Sequence, residues 1–394
     1  MSLVPSVELP YDKTKIDSFT NETSNEELLK EYDKIVDYFN IYSSTALKDF
    51  NRFNVNNGIK FIARYSNIFP IKNAVDLGII DGSHYIYDAS MINFESGFTY
   101  FASHCPIYST YDDSSDIDLF LRMLIENDIK IVSVPIQFVP ERTFKWFPDE
   151  ITDIKSYTSS KIDTYPSRNF NYTLKCLSKK VIYDPDAITQ SEKDESIKIY
   201  YIEITDEITK KDHNVKVYQY DNWPDYGVPR RLNLLCAYIF KIWDNLVHFN
   251  NDNKKILVHC SAGVGRTGTV ISCIELLNKI NTTYLDILTK KYKEDKETHL
   301  KEFNTFILSN IVFMRTFRPL MVQKPEQLKA ILALKDFYIN TDPEIIYTAL
   351  DKILTKDINK NFLSTGVDTL TGGSKKRKMN KNRIYSYIPI YDGY

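Results

Sequence analysis

The 394-residue chain is 43% hydrophobic and 26% charged, and its 50 Lys and Arg against 52 Asp and Glu leave a formal net charge of -2. That balance excludes a globally basic nucleic-acid or membrane-surface binder and leaves only local patches to consider. The five cysteines, Cys105, Cys176, Cys236, Cys260 and Cys273, are scattered without a C-x-x-C pair, which argues against a disulfide scaffold or a zinc site.

In chain order, MSLVPSVELPYDKTKID puts charges and prolines where a signal peptide needs an apolar stretch, and no apolar run is long enough to span a bilayer. A reducing, cytoplasmic setting is the expectation, with residues 1–23 as a mobile arm. Ser24 and Glu27 form an S-x-x-E capping box ahead of Leu28, Leu29, Tyr32, Ile35, Val36 and Phe39, so a helix should start there with those residues on one face. Short β-rich runs follow at Tyr85–Tyr87, Phe98–Ala102, Ile129–Val134, Ile197–Ile204, Val215–Tyr220 and Ile256–Val258. Helical patterns occupy 116–127 and 231–249 and dominate from 267 onward. This order predicts an α/β fold, a twisted mixed β-sheet flanked by helices.

Asp342 and Pro343 read as the cap and first position of a further helix within 341–362, with Ile345, Ile346, Ala349, Leu350, Ile353 and Leu354 on one side. Residues 363–394 lose all periodicity and hold Lys375–Arg383 and four tyrosines, Tyr385, Tyr387, Tyr391 and Tyr394. This tail is expected to be disordered. Its basic run reads as solvated charge, as a nuclear-import signal, or as a patch for anionic partners, and its tyrosines are candidates for phosphorylation.

Residues 258–269, VHCSAGVGRTGT, form a strand-to-helix turn, where backbone amides and a helix N-terminus converge on an anion. Gly263, Gly265 and Gly268 let the chain curl with its amides inward. A cysteine in that field, Cys260, should be a thiolate at neutral pH. Arg266 can return across the loop and hold two phosphoryl oxygens with its planar fork. The Thr267 hydroxyl can donate to the sulfur.

With these residues the chain resembles the protein tyrosine phosphatase family, in its tyrosine-specific branch, over about residues 60–335. Asn222–Pro229, NWPDYGVP, is similar to the family's mobile W-P-D loop, which makes Trp223 part of the substrate loop and Asp225 the acid that protonates the leaving oxygen. Phe317–Gln327, FRPLMVQKPEQ, resembles the glutamine segment, so Gln323 would position the hydrolytic water and Gln327 assist. Ala63–Pro70, ARYSNIFP, resembles the pocket wall, with Tyr65 stacking on a phenyl phosphate beside Arg64. Asn67 stands where the family commonly has an aspartate. Tyr87–Ser90 and Phe101–Pro106 resemble core segments, with Asp88, His104 and Cys105 as departures. Glu141, in a shortened loop, takes by resemblance the place of the glutamate that supports the cradle arginine.

The resemblance implies a phosphatase domain over 24–340 that hydrolyses phosphotyrosine in proteins through a phosphocysteine, with Ser261, Ala262, Gly263, Val264 and Gly265 cradling the phosphate and His259 orienting the loop. No metal or cofactor is called for, no nucleic-acid partner is expected, and oligomeric state is not encoded legibly. The alternatives are a non-catalytic phosphotyrosine-binding scaffold, and a dual-specificity or RNA 5′-phosphatase, which normally lacks the Trp-Pro-Asp flap.

Overall fold

The computed structural model describes residues 24–108, 115–139, 142–159, 168–225, 227–248, 254–289, 296–341 and 343–355. The N-terminal arm, the tail, Asp342 and Glu141 lie outside the described residues.

Helix α1 (Asn25–Asn56) begins at the expected capping box. The Glu27 amide donates to Ser24 Oγ at 3.2 Å, and the Ser24 amide donates to Glu27 Oε2 at 2.8 Å. Leu28, Tyr32, Ile35 and Phe39 recur at helical spacing and are buried, while Leu29 and Val36 flank them partly buried. The helix is pinned to the rest of the molecule by Tyr32, whose hydroxyl donates to the Val322 carbonyl at 2.6 Å.

Ten strands form one mixed sheet among the described residues. They are β1 (Ile59–Phe61), β2 (Ala74–Ile80), β3 (Ser83–Asn93), β4 (Thr99–Ser103), β5 (Ile131–Val134), β6 (Ile154–Thr158), β7 (Asn171–Ile182), β8 (Ser196–Asp206), β9 (Lys211–Asp221) and β10 (Lys255–His259). Their order is β1-β3-β4-β10-β5-β9-β8-β7-β6, with β2 also on β3. The centre is parallel: β10 runs between β4 and β5, in register Val258 with Ala102 and with Ser133. The flanks are antiparallel, β2-β3-β4 on one side and β9-β8-β7-β6 on the other.

A central parallel strand is covered on both faces, and β10 shows it in sequence as the unbroken apolar run Ile256–Val258. Side chains alternate across the sheet. Ile256 and Val258 join the larger core, built with α1, α4 (Leu232–His248), α5 (Gly265–Thr289), α7 (Pro325–Asn340) and α8 (Pro343–Thr355). Leu257 joins the second core, built with α2 (Ile117–Glu126), Trp146 and Phe147 on the opposite face. Short α3 (Gln190–Lys193) and long α6 (Lys296–Phe317) complete the described helices.

The structure departs from the sequence reading in two ways. Strands β1, β2, β6 and β7 fall outside the predicted runs: β1 has three residues, β2 is broken by Gly78 and register shifts, and β6 and β7 form the outer ribbon with only partial burial. Helix α5 starts at Gly265 rather than Thr267, which places Arg266 in its first turn.

Candidate functional site

The loop 260–264 leaves the carboxyl end of β10 and enters α5, at the edge where open α/β sheets bind ligands. Its shape depends on close backbone contact. The Cys105 amide donates to the Ser261 carbonyl at 3.0 Å. Gly263 has φ +73°, and a Cβ there would lie 2.1 Å from the Ser103 carbonyl oxygen, so no other residue fits. Gly265 is confined less tightly, since a Cβ there would sit 2.8 Å from Gln327 Nε2, the far end of a side chain. Buried Arg318 donates from Nε to the Gly263 carbonyl and from Nη2 to the Ala262 carbonyl, both at 3.0 Å. With the carbonyls held outward, the Gly263 amide points at Cys260 Sγ, 3.3 Å away.

Burial by itself would raise the Cys260 thiol. The Arg266 guanidinium, the Thr267 hydroxyl and the Thr267 and Val264 amides outweigh it and hold the group below the ordinary thiol value. The other four cysteines go the opposite way: burial pushes Cys105 up to about 12 and Cys176 up to about 11, and raises Cys236 and Cys273 as well. Thr267 Oγ1 is buried without a hydrogen-bond partner, so the expected bond from its hydroxyl to the sulfur is not made and its effect there is one of proximity.

His259 precedes the cysteine in full burial, which drives its pKa down to about 3. The Trp146 indole donates to His259 Nε2 at 3.0 Å. An indole N–H only donates, so Nε2 is the bare nitrogen and Nδ1 carries the proton, 3.3 Å from the Cys260 carbonyl. A neutral imidazole of fixed tautomer thus ties the Cys260 backbone to the second core.

Arg266 is buried, and its Nη1 donates to the Trp223 carbonyl at 3.3 Å. Its Nη2 pairs with Asp225 Oδ1 at 2.9 Å, although the Asp225 side chain is 51% exposed. The Trp223 indole donates to the Gly227 carbonyl at 3.1 Å and closes the turn that carries Asp225. The stems of this turn are tied to one segment. Asn222 Nδ2 donates to the Asp194 carbonyl at 2.7 Å, and buried Glu195 accepts the Arg230 amide at 2.9 Å.

A cavity of about 130 Å³ opens over the loop, lined by Cys260, Ser261, Ala262, Val264, Gly265 and Arg266 with Tyr65, Asn67, Ile68, Asp225, Leu320, Gln323 and Gln327. Tyr65 and Ser261 share a hydroxyl hydrogen bond at 3.0 Å. Arg64 lies behind the wall: it packs 5.8 Å from the Tyr65 ring centroid and donates to the Cys105 and Arg142 carbonyls. Gln327 Oε1 accepts the Gln323 and Lys324 amides at 2.8 and 3.1 Å, which caps α7 and fixes the segment holding Gln323. Among the described residues no cluster of three or more His, Cys, Asp or Glu is placed to ligate a metal, and no helix is long and apolar enough to cross a membrane.

Residues 60–335, well over half the chain, match the family model described as Protein-tyrosine phosphatase. The chain belongs to the protein-tyrosine phosphatase family. It is 32% identical over 155 residues to the mouse receptor-type tyrosine-protein phosphatase eta, covering 36% of this chain and 11% of that protein. It is 26% identical over 274 residues to mouse tyrosine-protein phosphatase non-receptor type 20, covering 67% and 56%. With tyrosine-protein phosphatase 1 of Dictyostelium discoideum it shares 27% over 252 residues, covering 60% and 44%. The chain therefore spans between about a tenth and just over half the length of these relatives.

Within this phosphatase-family domain, Tyr65, Asp225, Cys260, Ser261, Ala262, Val264, Gly265, Arg266, Gln323 and Gln327 of the residues singled out in the sequence line one cavity, whereas Arg64, Trp223, His259, Gly263 and Thr267 do not line it. Glu141 lies outside the described residues. Sequence reasoning missed Leu320 and Ile68 on the cavity wall, Trp146 on His259, and Arg318 on the loop carbonyls. Leu320 and Arg318 sit inside the quoted segment FRPLMVQ, but nothing in their spacing says which way they face.

Proposed function

We propose that this chain is a protein-tyrosine-phosphate phosphohydrolase working through a phosphocysteine intermediate. The observation that carries the reading is the contrast among its cysteines: only Cys260 has a depressed thiol, and it lies in the one loop that also holds Arg266 opposite Asp225. The thiolate attacks phosphorus in line, and the loop amides and Arg266 stabilise the equatorial oxygens.

The Arg266–Asp225 pair supplies an order of events. An arriving phosphoryl dianion competes for Nη2 and takes Asp225's counter-ion. Released from Arg266, the Asp225 carboxyl delivers a proton to the departing phenolate oxygen. Asp225, now ionised again, accepts a proton from the water that hydrolyses the phosphocysteine, with the Gln323 amide orienting that water. Tyr65, Ile68, Ala262 and Leu320 line an apolar slot suited to an aryl ring, which favours phosphotyrosine in proteins over shorter phosphoseryl esters.

The working unit spans 24–340, because α1, which precedes the family match, is bonded through Tyr32 to Val322 beside the glutamine segment. Helix α8 packs on as an addition.

Hydrolysis of a phosphotyrosyl peptide, run beside phosphoseryl peptide, RNA 5′-triphosphate and a phosphoinositide, tests the reading. Turnover of the first alone is expected. Tight binding of phosphotyrosine without turnover would replace the enzyme with a scaffold.

A further inference from the structure

Behind the phosphate loop lies a chain of four charged side chains, all with no solvent exposure: Asp116, His104, Asp88 and Arg318. His104 Nε2 lies 2.6 Å from Asp116 Oδ2, and its Nδ1 lies 2.8 Å from Asp88 Oδ2. Asp88 Oδ1 accepts from Arg318 Nη1 at 2.6 Å, and Arg318 in turn grips the Ala262 and Gly263 carbonyls. Ionised carboxylates only accept, so both imidazole nitrogens must donate, and His104 is an imidazolium. Two of the residues, Asp88 and His104, are the departures already noted from the family's core segments. They depart together, as an ion pair would require.

We propose that His104 is a positioning residue: its charge, held between Asp116 and Asp88, keeps Arg318 on the loop carbonyls and so keeps the loop amides turned toward phosphate. The inference rests on the proposed phosphatase reading for its reaction, but its geometry is that of an anion cradle. The groups that face His104 are Tyr87 and Asp88 from β3, Asp116 at the start of α2, Arg318 after α6, and more distantly His259 from β10. Its neighbour Cys105 carries a thiol pushed up to about 12 by burial and adds no charge at neutral pH.

Burial opposes the His104 charge, yet Asp116 and Asp88 outweigh it and lift the imidazole to about 9. The sign follows: the interaction is at full strength below the ordinary histidine value and is lost as pH rises through about 9. Losing the proton leaves Asp116 without its cation and Asp88 with Arg318 alone, in a dry interior where an unpaired charge is costly. The Asp88 carboxylate, no longer shared with the imidazolium, then pulls harder on Arg318 and loosens its hold on the carbonyls.

The test uses the full chain and inorganic phosphate, read by protection of Cys260 from iodoacetate between roughly pH 6 and 10, with Cys260→Ser as background. The wild-type chain should bind phosphate steadily to about pH 8 and then lose about tenfold through pH 9. His104→Gln alone should weaken binding about tenfold below about pH 8 and converge with the wild type above about pH 9, and Asp88→Asn with His104→Gln, a neutral pair, should recover most of that loss and show no fall near pH 9. Equal affinities and equal pH profiles in all three proteins, with differences only in Tm, would overturn the proposal and leave the cluster a structural one. If His104→Gln does not fold, a pH 9 fall that persists in the double variant overturns it as well. A wild-type chain with the expected phosphate profile but no phosphotyrosine turnover would overturn the phosphatase reading and leave His104 in place.

Discussion

The phosphate loop and the Asp225 loop sit on either side of one guanidinium, yet they are built on different principles. The first is buried, and its form is fixed by contacts measured in tenths of an ångström: Gly263 against Ser103, Gly265 against Gln327, two carbonyls on Arg318. The second carries a half-exposed carboxylate on a turn closed by the Trp223 indole and the Gly227 amide, held to Arg266 through Asp225 and the Trp223 carbonyl and at its stems by Asp194 and Glu195. The difference teaches what each must do. On the proposed reading, the surroundings of Cys260 are set before substrate arrives, whereas Asp225 changes partner and passes a proton during the reaction.

The largest effect expected from breaking this comparison is at the rigid side. Cys260→Ser should cost about 10⁴-fold or more in kcat while phosphotyrosyl-peptide binding persists, as measured by calorimetry. On the Asp225 side, Asp225→Asn should lower kcat about 10²- to 10⁴-fold for aryl phosphates with poor leaving groups, and leave the rate of Cys260 alkylation by iodoacetate close to wild type.

Gly263→Ala separates packing from chemistry. With φ at +73° and no space for a methyl group, it should destabilise the chain by about 3 kcal/mol or more in urea unfolding. An equivalent glycine change in the Asp225 loop, Gly227→Ala, meets only the Pro224 ring at 3.0 Å and should cost about 1 kcal/mol. The smallest effect belongs to the wall: Tyr65→Phe keeps the ring and loses the Ser261 bond, so KM for a phosphotyrosyl peptide should rise only a few-fold, about 1 kcal/mol, with kcat unchanged.

The two regions also differ in how legible they are. The phosphate loop could be read from twelve consecutive residues because its demands are local: a strand, glycines, a cysteine and an arginine in the next turn. The central strands were equally plain, since β10 is buried on both faces and reads as an apolar run. What holds the loop in place was not legible. Arg318 reaches the loop carbonyls from a segment far along the chain, with Asp88, His104 and Asp116 buried behind it, and no periodicity marks a polar residue as buried. Trp146 is fully buried core, and its single polar side-chain atom also fixes the His259 tautomer, which nothing in the sequence around it marks. The outer strands β6 and β7 escaped because partial burial on an antiparallel flank blurs the alternation that identifies a strand.

The most direct test of the account is to trap the intermediate. Rapid acid quench of a Gln323→Ala variant, mixed with excess phosphotyrosyl peptide and digested for mass spectrometry, should show a phosphate on the peptide bearing Cys260 and on no other cysteine. Steady turnover with Cys260 unmodified at every quench time would contradict it, because phosphate would then be passing to water without the thiolate that the loop, Arg266 and the α5 N-terminus are arranged to hold.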